Sequence, residues 1–180
     1  MSQVSSFPPL ADSSAHVLIL GSMPGIASLK VQQYYAHPRN AFWKILGEAL
    51  DFDPQAPYAE RTTRLLAEGI GLWDVLASCT REGSLDAAID AASAIPNEFN
   101  TFLARHPDIK RICFNGGAAA TLFARRVRPL LTSDREIDYV RLPSTSPAHA
   151  SLSVAAKARI WRAALAMAAS AQPLEHRSPL

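Results

Sequence analysis

The segment HVLILGSMPG, residues 16–25, decides the fold class predicted for this chain. Its first six residues form a short apolar run that ends in glycine, which is typical of a strand covered on both faces. The Ser, Met, Pro and Gly residues that follow predict a tight turn at the carboxyl end of that strand. Because α/β proteins bind ligands at this end of the sheet, the turn is the first candidate site. Met23 occupies it, where catalysis would usually place an amide or a carboxylate.

Three more short apolar segments predict strands, at residues 70–76, 109–114 and 137–142. Helical patterns occupy the segments between and after these strands, over about residues 40–50, 59–68, 96–105, 117–128 and 152–170. Pro96 is suited to the first position of the third helix. Alternating strands and helices favour a parallel sheet with helices on both faces. We therefore predict an α/β fold whose ligand site lies at the carboxyl ends of the strands.

Length and composition predict one domain. The chain has 180 residues, of which 48% are hydrophobic and 19% are charged, within the ordinary globular range. We expect a flexible N-terminal segment over residues 1–15, a single domain over residues 16–170 and a flexible tail over residues 171–180. No apolar run approaches the roughly 18 to 20 residues that cross a bilayer. The N-terminus also lacks the basic and apolar parts of a secretory signal. We therefore expect a cytoplasmic protein.

The cysteines and the charges restrict the chemistry only a little. Cys79 and Cys113 lie in apolar, strand-like runs and are expected to be reduced core thiols rather than a disulfide or metal ligands. A net charge of +2 indicates no particular partner. Basic residues crowd the second half of the chain: Arg105, Lys110, Arg111, Arg125, Arg126, Arg128 and Arg135. They can bind a phosphate backbone or form an ordinary solvated surface. From this feature alone, the solvated surface is the favoured interpretation.

Two loops carry the candidate binding groups. The first turn continues into YYAHPRNAFW, residues 34–43, where Tyr34 and Tyr35 offer flat faces to a ligand and Asn40 opens the next helix. From these residues alone, the tyrosines can equally pack in the core and Asn40 can serve only as a helix cap. The fourth strand ends in LPSTSPAHA, residues 142–150, whose hydroxyl and N–H groups can grip a phosphate. Taken alone, an ordinary serine and threonine turn before the last helix is the favoured interpretation of this loop.

Taken together and in this order, GSMPG, YYAHPRNAFW and LPSTSPAHA resemble the uracil-DNA glycosylase superfamily over roughly Leu18 to Arg162. The chain is most similar to the hypoxanthine (deoxyinosine) DNA glycosylase branch, and it also resembles the mismatch-specific G:T/U branch. The resemblance implies a three-layer α/β/α sandwich around a four-stranded parallel sheet. It also implies an enzyme that flips a damaged base out of the duplex and hydrolyses its N-glycosidic bond without a metal or an organic cofactor.

The resemblance also implies roles for residues at both loops. Tyr35 would stack on the flipped base. The base and sugar pocket would be lined by residues of the first turn, Gly21, Ser22, Met23 and Gly25. In the second loop, phosphate contacts would come from Ser144 and Ser146, and the gap left by the base would be filled by Pro147, Ala148 or His149.

Two positions depart from the uracil-excising members of the superfamily. Met23 stands where those enzymes carry an Asp or Asn that activates water, and a thioether neither takes a proton nor holds water firmly. Leu142 stands where they carry a His that stabilises the departing uracil anion. Both departures argue against efficient uracil excision. The hypoxanthine branch also carries an uncharged residue at the first position, and a Met there suits a larger, apolar-faced purine.

The missing catalytic role has two candidates. Asn40 is the first, because its amide can orient a water. Asp74, in GIGLWDVLAS, is the rival: it can accept a purine N–H, or act as a base if burial beside Trp73 raises its pKa, and it can equally accept only backbone N–H bonds at the strand end. Asn115 can read a base edge or shape the turn that follows it, with the structural role favoured.

The sequence therefore predicts a monomeric, monofunctional DNA glycosylase of base excision repair. Its partner is double-stranded DNA with a damaged or mismatched base, and the leading substrate is deoxyinosine. Two alternatives remain open: a mismatch-specific uracil or thymine glycosylase, and a catalytically silent protein that binds damaged DNA.

Overall fold

The computed structural model describes residues 2–169, with side chains through residue 166. The strands, in chain order, are β1 (Ser2–Ser5), β2 (Val17–Gly21), β3 (Ile70–Asp74), β4 (Leu76–Arg81), β5 (Ile95–Pro96), β6 (Arg111–Asn115) and β7 (Asp138–Leu142). Four of them form a parallel sheet in the order β3-β2-β6-β7. These four are the strands that the apolar runs predict, so their carboxyl ends meet at one edge of the sheet.

Side chains of the central strand alternate between two apolar layers, as a strand covered on both faces requires. Leu18 and Leu20 of β2 belong to one core cluster. Val17 and Ile19 belong to the other, which also holds Trp161 near the C-terminus. The sheet therefore lies between two helical layers, and the three-layer α/β/α prediction is confirmed.

The helices are α1 (Ile26–Val31), α2 (Phe42–Leu50), α3 (Tyr58–Ala67), α4 (Phe99–Arg105), α5 (Gly117–Leu122) and α6 (Val154–Ala169). α5 is followed by a π-helical turn over Phe123–Val127, so the helix predicted over 117–128 changes its hydrogen-bond pattern midway. The predicted start of α4 is wrong: Pro96 lies in β5, and the helix begins at Phe99. Ser153 accepts the N–H of Ala156 and caps α6.

A second, antiparallel sheet in the order β1-β4-β5 is not predicted by the sequence pattern. We predict one strand over residues 70–76, but the chain leaves the parallel sheet at Asp74 and enters the antiparallel one at Leu76. One apolar run therefore serves two sheets. The break places Asp74 at the carboxyl edge, where the candidate site lies.

The first fifteen residues, expected to be a flexible segment outside the domain, instead pack against it. β1 pairs with β4, and Leu10 pairs with Leu72 of β3. The Phe7 ring is buried against Tyr34 in an edge-to-face contact, with ring centroids 5.2 Å apart. The physical reason is that the exposed edge of β4 accepts β1, so the backbone hydrogen bonds of this pairing and the burial of the Phe7 ring together offset the entropy that the segment loses.

Within residues 2–169, no helix is long and apolar enough to cross a membrane. The tail expected over residues 171–180 lies outside the described residues.

Candidate DNA-binding and catalytic site

A cavity of about 470 Å³ opens at the carboxyl edge of the parallel sheet. Its volume lies in the range of small-molecule and cofactor sites. Every residue that we predict for the site lines the cavity, except His149. Several residues that we do not predict line it as well. The full lining is Gly21, Ser22, Met23, Pro24, Gly25, Ala27, Ser28, Tyr34, Tyr35, His37, Arg39, Asn40, Asp74, Ser84, Leu85, Asp86, Asn115, Ser144, Thr145, Ser146, Pro147 and Ala148. The topology thus brings together segments far apart in sequence.

The first turn brings its backbone close to two polar side chains. A Cβ atom at Gly21 would lie 2.5 Å from Asp74 Oδ1 and 3.0 Å from Tyr35 Oη, so only glycine fits without displacing them. Ser22 donates its hydroxyl to Asp86 Oδ1 at 2.5 Å. Met23 is only 6% exposed and joins a core cluster while it lines the cavity, so its thioether forms part of an apolar wall.

Asp74 ends β3 and is 4% exposed. Its carboxyl accepts no hydrogen bond from the described residues, and its Oδ2 is fully enclosed. The interpretation of Asp74 as a strand-end carboxylate that accepts backbone N–H bonds is therefore not what the structure shows. Burial raises the pKa of Asp74 to about 7; the nearby Asp86 carboxylate acts in the same direction and Arg81 opposes it.

Tyr35 stands beside Asp74 in a fixed orientation. Its ring stacks on Phe42 at a centroid distance of 3.7 Å and an interplanar angle of 17°, so one face is covered. Its backbone has a φ of 55°, a left-handed conformation that is unusual for a bulky residue. Tyr35 Oη, like Asp74 Oδ2, is buried without a hydrogen-bond partner among the described residues. Tyr34 is a core residue by contrast: it is buried and donates its hydroxyl to the carbonyl of Pro8.

Asn40 lines the cavity and also shapes the start of α2. Its Oδ1 accepts the N–H of Phe42 at 3.0 Å in an Asx turn, while the N-cap of α2 is Ala41, so Asn40 is not the helix cap that the sequence leaves open. The amide nitrogen makes no hydrogen bond to the described residues. This bond orients the side chain without occupying its amide nitrogen or the second lone pair of its oxygen, so a role in shaping the turn before α2 is compatible with a role in positioning water.

Asn115 holds the second loop in place. Its Nδ2 donates to Thr145 Oγ1 and its Oδ1 accepts the N–H of Thr145, both at 2.9 Å. These two bonds tie the end of β6 to the LPSTSPAHA loop, so they favour the structural interpretation of Asn115 over base reading.

The serines of the second loop form short turns at the cavity mouth. Ser144 Oγ accepts the N–H of Ser146, and Ser146 Oγ accepts the N–H of Ala148. Pro147 and Ala148 are exposed. His149 is exposed too but lies outside the cavity lining, with its carbonyl bound by Lys157 Nζ at 2.6 Å.

The loop that follows β4 is the part of the site that sequence reasoning missed. Ser84, Leu85 and Asp86 form a wall of the cavity, and Ser84 Oγ accepts the N–H of Ile26 at 3.0 Å. Behind this wall, Arg81 is 2% exposed and donates to the carbonyl of Pro24 at 2.5 Å. The only local signal is a Gly, Ser and Asp turn, which predicts a loop but not its position.

Several other predicted features lie away from the cavity. Leu142 is buried in the core cluster that contains Ile19, so the position where uracil-excising enzymes carry a His contributes nothing to the cavity. Cys79 and Cys113 are free and buried, as expected. In the basic cluster, Arg111 pairs with Asp138, and Arg135 donates to backbone carbonyls between residues 103 and 109.

The chain is similar to proteins of known family. The profile of the Uracil DNA glycosylase superfamily matches residues 8–165. A protein named hypoxanthine DNA glycosylase from Methanosarcina barkeri is 40% identical over 111 residues, which cover 61% of this chain and 69% of that protein. A protein of the same name from Methanosarcina acetivorans is 39% identical over 114 residues, which cover 63% of this chain and 71% of that protein.

A solved structure shows the same fold. The solution NMR structure of a Methanosarcina acetivorans protein, described as a candidate uracil DNA glycosylase, has a TM-score of 0.77 and 30% sequence identity, covering 93% of this chain and 99% of that one. The profile spans both loops that form the cavity, and the four-stranded sheet lies at their base. The chain therefore belongs to the uracil DNA glycosylase superfamily.

Proposed function

We propose that this protein is a DNA glycosylase that removes hypoxanthine from deoxyinosine in double-stranded DNA and leaves an abasic site. The observation that carries the proposal is the make-up of the cavity, which has Met23 at its apolar wall, the buried Asp74 carboxyl in its lining and Leu142 excluded from it. The water-activating Asp or Asn and the anion-stabilising His expected for uracil excision are thus both replaced by apolar side chains. Two relatives at about 40% identity are named as hypoxanthine DNA glycosylases, which supports a purine substrate.

The cavity is suited to an extrahelical base. An N-glycosidic bond cannot be attacked inside the base stack, so the nucleotide rotates out of the duplex. Tyr35, held by Phe42 on one face, offers its other face to the purine, and each aromatic contact of this kind contributes about 1 to 3 kcal/mol. Gly21, Ser22 and Gly25 bring backbone groups against the base and the sugar, with Met23 as an apolar surface.

Asn40 positions the attacking water in this proposal. Its side chain is oriented by the hydrogen bond to Phe42 N–H, and the amide nitrogen faces no protein acceptor among the described residues. An amide is a poor base. Positioning nevertheless suffices when the glycosidic bond breaks before water adds, because the sugar cation then reacts with a weak nucleophile.

The second loop contacts the DNA on either side of the flipped nucleotide. Ser144 and Ser146 lie at the mouth and bind phosphate through their hydroxyl protons, which the turns of the loop leave free to donate. Pro147, Ala148 and His149, all exposed, fill the space that the base leaves. The enzyme acts as a monomer in the cytoplasm, and it does not cleave the strand because hydrolysis forms no Schiff base.

Single-turnover base release tests the proposal. Labelled duplexes carry one deoxyinosine opposite T, one uracil or no lesion, and alkali then cleaves abasic sites. We expect cleavage of the deoxyinosine strand alone. Cleavage of the uracil strand in preference would indicate the mismatch-specific alternative. Binding of the deoxyinosine duplex without release would contradict the proposal in favour of a silent binder.

Two variants separate the chemical role of Asn40 from its role in the turn before α2. Asn40→Ala removes both, whereas Asn40→Ser keeps a side-chain oxygen that can accept the Phe42 N–H and lacks the amide. We expect both to lose hypoxanthine release by about 100-fold, and only Asn40→Ala to lose about 1 kcal/mol of stability in thermal unfolding. Full activity of Asn40→Ser would show that Asn40 only shapes the turn before α2.

A further inference from the structure

The Asp74 carboxyl is the one acidic group in the cavity lining that is enclosed and has an oxygen without a partner among the described residues. Asp86, which also lines the cavity, is exposed and accepts the Ser22 hydroxyl. Asp74 is 4% exposed, and its Oδ1 lies over Gly21. Asp74 therefore lines the cavity but makes no side-chain hydrogen bond that stabilises the fold, so its carboxyl is available to interact with a bound ligand.

No side chain among the described residues pairs with the Asp74 carboxyl, so its negative charge is stabilised only at a distance, by Arg81. Arg81, the nearest buried cation, donates to the carbonyl of Pro24 and forms no ion pair with Asp74 among the described residues. The other ionisable groups that face Asp74 are Tyr34, Tyr35 and Asp86, and an ionised Asp86 opposes a second charge on the same wall. Because an unpaired buried carboxylate is costly, the surroundings favour the protonated acid.

A protonated acid matches the chemistry of a purine leaving group. Unlike uracil, hypoxanthine has an imidazole ring nitrogen, N7, that can take a proton while N9 gives up the sugar. Protonation lets the base leave as a neutral molecule, so no cation is needed to stabilise an anion. This accounts for a cavity from which the His position, Leu142, is excluded.

We propose that Asp74 is the general acid of this enzyme and donates its proton to N7 of the flipped hypoxanthine. The inference rests on the proposed function. As the proton transfers, the C1′–N9 bond breaks, its electron pair goes to the base, and neutral hypoxanthine departs. Water held by Asn40 adds to the sugar cation at C1′ and releases one proton to solvent, from which the Asp74 carboxylate is protonated again.

The pH dependence of single-turnover release distinguishes an acid from a base. Since Asp74 acts in its protonated form, the rate of hypoxanthine release is expected to be highest below neutral pH. Above the Asp74 pKa of about 7, it should fall about tenfold per pH unit. Asp74→Asn is nearly isosteric and should lose about 100-fold in rate and this pH dependence. A rate that rises with pH through neutrality would overturn the inference alone, since the enzyme would still release hypoxanthine.

A substrate analogue checks the proton's destination. A duplex with 7-deaza-2′-deoxyinosine has no N7, so the enzyme should bind it with unchanged affinity and release its base at least about 100-fold more slowly. Release at the normal rate would contradict proton transfer to N7. Absence of hypoxanthine release from the ordinary substrate at every pH would overturn the proposed function, and the inference with it.

Thermal unfolding tests the state of Asp74 without measuring activity. Folding raises the pKa of Asp74 from an ordinary 3.8 to about 7. Between about pH 4 and about pH 7, Asp74 is therefore protonated in the folded protein and deprotonated in the unfolded chain. The contribution of Asp74 to stability is therefore full below about pH 4 and is lost as the pH rises to about 7. Asp74→Asn should lack this loss, and its melting temperature should rise relative to the parent over this range. A constant difference between the two proteins would contradict a buried, protonated acid.

Discussion

Single residues set the geometry of the cavity, and Gly21 shows this most directly. Replacing Gly21 by Ala places a methyl group 2.5 Å from Asp74 Oδ1, which is closer than non-bonded atoms approach. The carboxyl and the Tyr35 hydroxyl must then move. We expect Gly21→Ala to cost about 1 to 3 kcal/mol of unfolding free energy by overpacking and to lower hypoxanthine release by about 100-fold, measured by thermal unfolding and single-turnover assays.

Gly25→Ala is the matched control for Gly21→Ala. Its added methyl would meet Ser84 Oγ at 3.4 Å, an ordinary contact, and its φ of −75° is accessible to alanine. We expect this variant to keep the unfolding free energy of the parent within about 0.5 kcal/mol, so it is a control for the stability effect of Gly21→Ala. Equal losses in the two variants would show that any methyl group in the first turn is harmful, and that the approach of Asp74 to Gly21 is not the cause.

At the level of residues, the sequence predicts which side chains gather at the site better than it predicts what they bind. The strand-and-loop order places Gly21, Asp74 and Asn115 at one edge, because parallel strands end together. Whether the Asn115 side chain contacts a ligand or Thr145 depends on how the end of β6 and the loop after β7 are positioned relative to each other, and these segments are 30 residues apart in sequence. No local pattern encodes such a contact.

Among the elements, α6 fixes the second loop through a buried lysine. Lys157 is 4% exposed and its ammonium donates to the His149 carbonyl, while burial lowers the pKa of this amine below its ordinary value. Lys157→Met keeps the apolar stem and removes the donor. We expect the end of the loop at His149 to loosen and the affinity for a deoxyinosine duplex, measured by fluorescence anisotropy, to fall at least about tenfold, as for loss of one charged hydrogen bond.

Arg159→Met is the control for Lys157→Met, because it removes one exposed positive charge from the same helix. It should change the affinity by less than about twofold. The rate of base release at saturating enzyme should stay near the parent value in both variants, since neither side chain lines the cavity. An equal fall in affinity for both would assign the effect to net charge rather than to the hold on the loop.

Elements with a continuous apolar pattern are predicted correctly, and those that depend on a partner are not. Three of the four parallel strands, β2, β3 and β6, are buried on both faces, which the sequence displays as apolar runs, whereas β7 lies at the sheet edge with Asp138 and Arg141 exposed. β1 and β5 are short and mostly exposed, and each exists because β4 offers it an edge. The loop from Ser84 to Asp86 reaches the cavity for the same reason, since its position follows from where β4 ends.

For the whole molecule, the distribution of charge distinguishes the mouth of the cavity, the proposed DNA-binding face, from the basic cluster of the second half. Much of the basic cluster of the second half is committed to internal contacts: Arg111 to Asp138, Arg128 to the Tyr139 ring, and Arg135 to backbone carbonyls. Arg39 is different because it is exposed and lines the cavity mouth. The crowding of arginines in the sequence is therefore explained in part by contacts within the protein, and we expect DNA to contact Arg39 rather than this cluster.

The salt dependence of DNA binding measures this separation. Removing one cation that binds a DNA phosphate lowers the slope of log K against log salt concentration by about 0.9. We expect Arg39→Gln to weaken binding of all duplexes and to reduce the magnitude of this negative slope by about 0.9, so that binding depends less on salt. Arg125→Gln removes the same charge from an exposed residue outside the cavity lining, and should leave the slope unchanged. If Arg125→Gln lowers the slope as much as Arg39→Gln does, DNA also contacts the basic cluster, and the bound duplex extends well beyond the cavity mouth.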